Sequence, residues 1–178
     1  MLAVGFLFTG EVYRGLDISS LSESELNVAQ NRLFMLSGMY GLLRPLDLMY
    51  PYRLEMGTNW QMDDKHKNLY AFWGQKLTKQ LQKETTKDEW VVNLASNEYA
   101  KAVNWKELKR PYIVPHFKEF KDGEYKIVMV YAKQARGAMA RYLIQNELSE
   151  IEALKAYNID GYTFDEKQST ETDWVFVR

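Results

Sequence analysis

"LSGMYGLLRPLDLMYPYRLEMG", Leu36 to Gly57, sets Arg44, Asp47, Arg53 and Glu55 into a run otherwise rich in Leu, Met and Tyr and broken repeatedly by glycine and proline. A core segment has no need of those charges, and a surface loop has no need of so much apolar bulk. The residues leading into it, "SESELNVAQNRLFMLS", read as a helix, because Ser22 and Glu25 have capping-box spacing and Leu26, Ala29, Leu33 and Leu36 recur at helical intervals. Gly38 and Gly41 end that helix. Pro45 permits a new helical turn, and Pro51 forces Tyr50 toward an extended conformation. On this reading "LSGMYGLL" is a glycine turn between helices, a helix-hairpin-helix arrangement that offers backbone N–H groups to a nucleic-acid phosphate. Further on, alternation puts Tyr52, Leu54 and Met56 on one side of "PYRLEMG". Arg53 and Glu55 fall on the other, as an ion pair or as half of a polar pocket.

Outward from this stretch, "MLAVGFLF" reads as an amphipathic or buried strand. A second helix is expected over 66–84, with Leu69, Phe72, Trp73, Leu77 and Leu81 as its apolar stripe. "WVVNLA" reads as a buried strand, and Ser96 is placed to cap a short helix, "NEYAKAV". Asp122-Gly123 is the strongest hairpin signal, between "YIVPHFKEF" and "EYKIVMVYAK". Both faces of "YKIVMVY" are apolar, so that strand is expected to be central. A third helix over 134–148, a short one over 150–156 and two short strands, "GYTFD" and "DWVFV", complete the chain. No repeat or dividing linker interrupts it, which predicts one mixed α+β domain over 1–178.

The composition narrows the function. With 46% hydrophobic and 14% aromatic residues in 178 positions, a folded core is expected rather than disorder. A formal net charge of −1 excludes a globally basic nucleic-acid binder but not a local basic face. No apolar run reaches membrane-span length, and "MLAVGFLF" has no basic n-region, so a soluble cytoplasmic protein is the expectation. The absence of cysteine removes a thiol nucleophile, a disulfide and a thiolate metal site. His66 and His116 lack partners at ligand spacing, so neither a metal site nor a cofactor is expected.

Three segments carry polar residues that packing does not require. The first is the opening stretch. The second is "NLASNEY", Asn93 to Tyr99, where a strand runs straight into Ser96, Glu98 and Tyr99. These either cap a helix or display functional groups at a strand–helix junction. The third is "YAKQARGAMAR", Tyr131 to Arg141. At helical angles Lys133, Arg136 and Arg141 share one broad face, with Gly137 and Ala140 between them, a spacing that lets a large anion approach. Around it, residues 99–136 hold nine Lys/Arg against four Asp/Glu, while the tail from Glu147 is acidic.

Taken in order, "LSGMYGLLRPLDLMYPYRLEMG", "NLYAFWG", "VVNLASNEYAKAV", "VYAKQARGAMARYLIQNEL", "GYTFDE" and the ending "DWVFVR" resemble the YaaA family of bacterial peroxide stress proteins. The resemblance runs from about Phe8 to the C-terminus. It implies a cytosolic protein that helps the cell survive hydrogen peroxide by restraining unincorporated iron. It also implies the family's mixed α/β "cantaloupe" fold with a helix-hairpin-helix element, and DNA binding through a positively charged cleft. Carried over, Ser37, Gly38, Tyr40, Gly41 and Arg44 would lie near the nucleic acid. Lys133, Arg136 and Arg141 would line the cleft, joined by Arg53 and Lys101. Family members usually begin with a further segment opening on Ser-Pro-Ala-Lys-Thr, which this sequence does not show. An apolar edge at "LAVGFLF", with self-association through it, is therefore an expectation too.

Two functions follow from these residues. One is a DNA-binding stress protein without turnover, whose affinity falls steeply with salt. The other is an enzyme acting on a small anionic or nucleotide-like substrate. There Arg53, Lys133 and Arg136 would bind the anion, Glu55 or Glu98 would act as general base, and Ser96 or Tyr99 would donate a hydrogen bond. No nucleophile–base pair and no cofactor motif is recognisable, so the residues name no reaction. Peroxide protection by this chain has to be indirect, through DNA or iron, or depend on a partner.

Overall fold

The computed structural model describes residues 1–146 and 148–178. Glu147, which the expected helix over 134–148 and the acidic tail both include, lies outside the described residues. In chain order the elements are β1 (Leu2–Ala3), α1 (Val4–Leu7), α2 (Glu11–Leu16), α3 (Glu23–Arg32), β2 (Met35–Ser37), β3 (Gly41–Leu43), β4 (Leu48–Met49), α4 (Leu69–Trp73) and α5 (Lys76–Glu84). Then follow β5 (Val91–Val92), α6 (Asn97–Ala100), α7 (Trp105–Leu108), β6 (Tyr112–Lys121), β7 (Glu124–Lys126), α8 (Met129–Gln145), β8 (Thr163–Asp165) and β9 (Asp173–Val177). The expected α+β class is what forms. No helix among the described residues is long and apolar enough to cross a membrane.

A mixed sheet of order β5-β6-β9-β8 carries the C-terminal half. β5, β6 and β9 run parallel, β8 returns antiparallel to β9, and β7 pairs only with the far end of β6. β6 and β9 are the two interior strands, and β9 is the more uniformly buried. Its Trp174, Val175, Phe176 and Val177 are all buried, the near-continuous apolar reading of a strand covered on both faces. α8 lies against this sheet, where Ala132, Ala135 and Met139 meet Ile113, Phe117 and Phe176. The "YKIVMVY" run is not the central strand. Only Glu124–Lys126 is extended, all of it exposed, and the helix begins at Met129, five residues before the expected start. A short apolar run does not distinguish strand from helix by composition. Here Ala132 and Ala135 have to face the sheet, which draws the helix start forward.

The Asp122-Gly123 hairpin forms as expected, with φ of 55° and 84° at the turn and Lys121 opposite Glu124. The Ser22/Glu25 capping box is also present: the Ser22 side chain accepts from Glu25 N–H and the Glu25 carboxylate accepts from Ser22 N–H at 2.7 Å. α3 stops at Arg32, however, four residues short of Leu36. The glycine turn that follows joins two strands, Ser37 pairing with Gly41 and Met35 with Leu43. The helix-hairpin-helix element expected at Gly38–Gly41 is thus a β-hairpin. Leu33 and Leu36 do not share a face there; from Met35 the chain alternates with the period of a strand, and β2 buries Met35 and Ser37 on one face.

Two further expectations change. Only Leu2–Ala3 of "MLAVGFLF" is extended, paired with Met49 and Leu48; Val4–Leu7 turns helical, while Leu2, Phe6 and Leu48 remain exposed. The helix over 66–84 is interrupted at Gly74, whose φ of 43° ends α4 before α5 begins.

Candidate anion-binding site

The hairpin is knitted inward. Ser37, almost fully buried, shares a hydrogen bond with the Tyr52 hydroxyl and accepts from Tyr40 N–H at 2.9 Å. Gly38 lies against the Leu54 carbonyl, where a Cβ would stand 2.6 Å from the oxygen, and its own carbonyl accepts from Trp73 Nε1 at 2.9 Å. Gly41, at φ 78°, packs under the Trp73 ring. The Tyr40 hydroxyl accepts from Tyr50 N–H at 3.3 Å. These four residues therefore act first on the fold of "LSGMYGLL" itself.

The alternation expected in "PYRLEMG" is observed: Met56 is buried and Tyr52 and Leu54 are half-buried, while Arg53 and Glu55 are exposed. Arg53 and Glu55 make no ion pair with each other. The second polar segment meets this strand directly. Glu98 Oε1 accepts from Gly57 N–H at 2.7 Å, and a Cβ on Gly57 would crowd that carboxylate at 3.1 Å. Tyr70 donates its hydroxyl to the Glu98 carbonyl at 3.0 Å. Tyr99 is half-buried; burial first, then Tyr52 and Glu98, push its hydroxyl above the ordinary tyrosine value. Tyr13 on α2 is raised further, by burial and then by Tyr99 and Tyr52, so these three hydroxyls stand near one another. Nothing in the sequence singles out Tyr13 or Tyr70, because a tyrosine on a helix reads as packing until its neighbours are known.

α8 divides the three cations that were expected on one face. Gly137 and Ala140 do not open a path for an anion; they receive another element. A Cβ on Gly137 would stand 1.8 Å from the Val12 carbonyl, and one on Gly15 2.1 Å from the Gln134 carbonyl, so α2 and α8 cross with their backbones in contact. Arg141 is drawn to the end of α2, donating to the carbonyls of Leu16 at 3.1 Å and Asp17 at 2.9 Å. Arg44 is held in the same manner. It pairs with Glu84, donates to the Gln30 carbonyl at 2.7 Å, and lies over the Phe34 ring.

Arg136 differs from both. Ala132, one turn before it, is buried in the sheet-side core, and Ala140, one turn after it, is buried in the core beneath α3. Residues four apart share a helix face, so Arg136 leaves α8 over the seam between the two cores. Leu94 packs against both cores across that seam. Burial holds the Arg136 guanidinium below its ordinary value. Every other half-buried cation among the described residues has a partner: Arg44, Arg110, Lys118, Arg141 and Lys155 each make a hydrogen bond or ion pair. Arg136 makes none. Either side of Leu94, two more polar groups stand free. Asn93, only 8% exposed, accepts from Ala95 N–H, but its amide nitrogen has no partner among the described residues. Ser96 has N-cap backbone angles yet makes no side-chain cap bond.

A family model described as "Peroxide stress protein YaaA" matches residues 3–168. This chain belongs to the YaaA family. Curated relatives agree: it is 55% identical over 175 residues to a UPF0246 protein of Aliivibrio fischeri, covering 97% of this chain and 67% of that protein. It is 50% identical over 173 residues to one of Flavobacterium psychrophilum, covering 97% of this chain and 68% of the relative. A third, from Saccharophagus degradans, is 52% identical over 173 residues, with 96% and 67% covered. In this YaaA-family chain the motifs that carry the resemblance fall on the β2–β3 hairpin and the segment after it, α4, the β5–α6 junction, α8, β8 and β9. Arg53, Lys101 and Lys133 are exposed, without an ion pair among the described residues. Among the described residues no group of three or more His, Asp or Glu side chains comes together in a metal-binding arrangement.

Proposed function

We propose that this chain binds DNA through its phosphates, with Arg136 as the anchor, and that it acts in the peroxide stress response by limiting damage from unincorporated iron. One observation carries the reading: Arg136 is the one half-buried cation among the described residues with no partner. A guanidinium withdrawn from water without a counter-charge is costly, and a phosphate that accepts its forked donors removes that cost. Lys133 beside it, with Lys101 and Arg53, supplies further phosphate contacts. Ser37, Gly38, Tyr40 and Gly41 hold the hairpin in shape, and Arg44 and Arg141 fix the helix ends around it.

Fluorescence anisotropy on duplex and distorted DNA across a salt series tests this. Four phosphate contacts predict a slope of about −3 to −4 in log affinity against log salt. Arg136→Met is expected to reduce that slope by about one. Affinity indifferent to salt, or to reversal of both Lys133 and Arg136, would remove the proposal. A second reading, an enzyme on a small anionic or nucleotide-like substrate, is favoured by the convergence of Glu98, Tyr99, Tyr52 and Tyr13. Nucleoside phosphates that bind in calorimetry but do not compete with DNA would support it.

A further inference from the structure

β7 leaves one edge without a strand partner. In a two-residue hairpin the flanking pair, here Lys121 and Glu124, exchanges both backbone hydrogen bonds. The pattern alternates along the strand, so Lys126 also turns its backbone toward β6, opposite Glu119, and Tyr125 directs its N–H and C=O to the open edge. Side chains alternate as well. Glu124 and Lys126 stand on one face, where in the single chain they pair with each other at 2.8 Å, and Tyr125 joins Phe120 on the other, their rings 5.2 Å apart. Around them a cluster of large apolar side chains is left in water: Phe120 is 61% exposed, Ile127 48% and Met129 61%.

We propose that this edge is a homodimer interface, in which β7 pairs antiparallel with β7 of a second copy about a two-fold axis at Tyr125. The occupant follows from charge. Under that rotation the two Tyr125 residues exchange N–H···O=C bonds, Glu124 lies opposite Lys126 of the second copy, and Lys126 lies opposite its Glu124. These are non-hydrogen-bonded positions, where cross-strand side chains come closest. Glu-Tyr-Lys is thus complementary to itself when reversed. Edge charges ordinarily deter strand addition; here opposite signs two residues apart deter unlike strands and match an identical one. On the other face the axis brings two Phe120–Tyr125 pairs together and removes them from water. Such an interface is isologous and closed.

Sedimentation of the whole chain over a concentration series tests the proposal. The expected result is a dimer that dissociates on dilution in the micromolar range. Lys126→Glu sets glutamate against glutamate, and Glu124→Lys sets lysine against lysine. Each change is expected to weaken the dimer about tenfold or more, with melting of the monomer little changed, because the Glu124–Lys126 ion pair that each reversal also breaks is exposed. Mixing the two variants is expected to restore association, and so is combining both changes in one chain. A monomer at every concentration overturns the proposal. So does a dimer that both reversals leave intact, which would move the contact to another face, such as the exposed apolar side chains around Leu2 and Leu48.

Discussion

Arg44 and Arg136 look alike in the sequence, since each is a cation in an apolar neighbourhood, and the structure gives them opposite stability consequences. Arg44 joins Glu84, the end of α3 and the Phe34 ring, so Arg44→Met leaves two carbonyls without that donor and a half-buried carboxylate with Gln80 as its remaining one and no counter-charge. Loss of about 2 to 3 kcal/mol is expected in chemical denaturation. Arg136→Met removes a desolvated charge that nothing in the described chain offsets. Its stability is expected to stay level or rise by up to about 1 kcal/mol, while DNA affinity falls. A marked loss of stability at Arg136 would show that it has a structural partner. Composition cannot separate the two cases. Whether a guanidinium meets a carboxylate depends on α5, which lies forty residues away from Arg44 in sequence.

Among the elements, the crossing of α2 and α8 depends on two glycines. In an isolated helix Gly137→Ala would stabilise by about 1 kcal/mol. Here the new Cβ would meet the Val12 carbonyl at 1.8 Å and the Leu16 nitrogen at 2.7 Å, so the helices have to separate. The expected cost is at least about 2 kcal/mol, a drop of roughly 4–8 °C in Tm. A gain on substitution would contradict the close crossing. α3 offers a local control. Ser22→Ala breaks the capping box without touching a core contact, and about 1 kcal/mol is expected to be lost in the same melt. That box was legible, because its two residues are three apart. The β2–β3 hairpin was not: its strands are three residues long, too short to show a period of their own.

For the whole molecule, acid is the revealing condition. Asp17, Glu25, Asp63, Asp165 and Asp173 all sit below their ordinary values, mainly because they accept hydrogen bonds in the folded state. The bond that spans the sheet is Asp173 to His116 Nε2 at 2.7 Å, tying the start of β9 to β6. A depressed carboxylate contributes stability that is present above its unfolded value, near 4, and is lost as pH falls through the folded value. Tm is therefore expected to fall steadily below about pH 4. Asp173→Asn should melt lower than the unchanged chain at neutral pH, with the gap closing in acid. A gap that does not vary with pH would show that the carboxylate's charge plays no part.

Local features were determined by the sequence alone: the α+β class, the capping box, the Asp122-Gly123 turn, the alternation of Tyr52, Leu54 and Met56, and the two short strands at the C-terminal end. Each rests on residues within a few positions of one another, where backbone angles and periodicity act directly. The tertiary structure decided which apolar run became helix, which glycine turn joined strands, and which cations kept a free charge. Those outcomes depend on what arrives from distant parts of the chain. α2 filled the face that Gly137 leaves open, Glu84 and the end of α2 took up Arg44 and Arg141, and Arg136 was left over the seam between the two cores without a partner among the described residues.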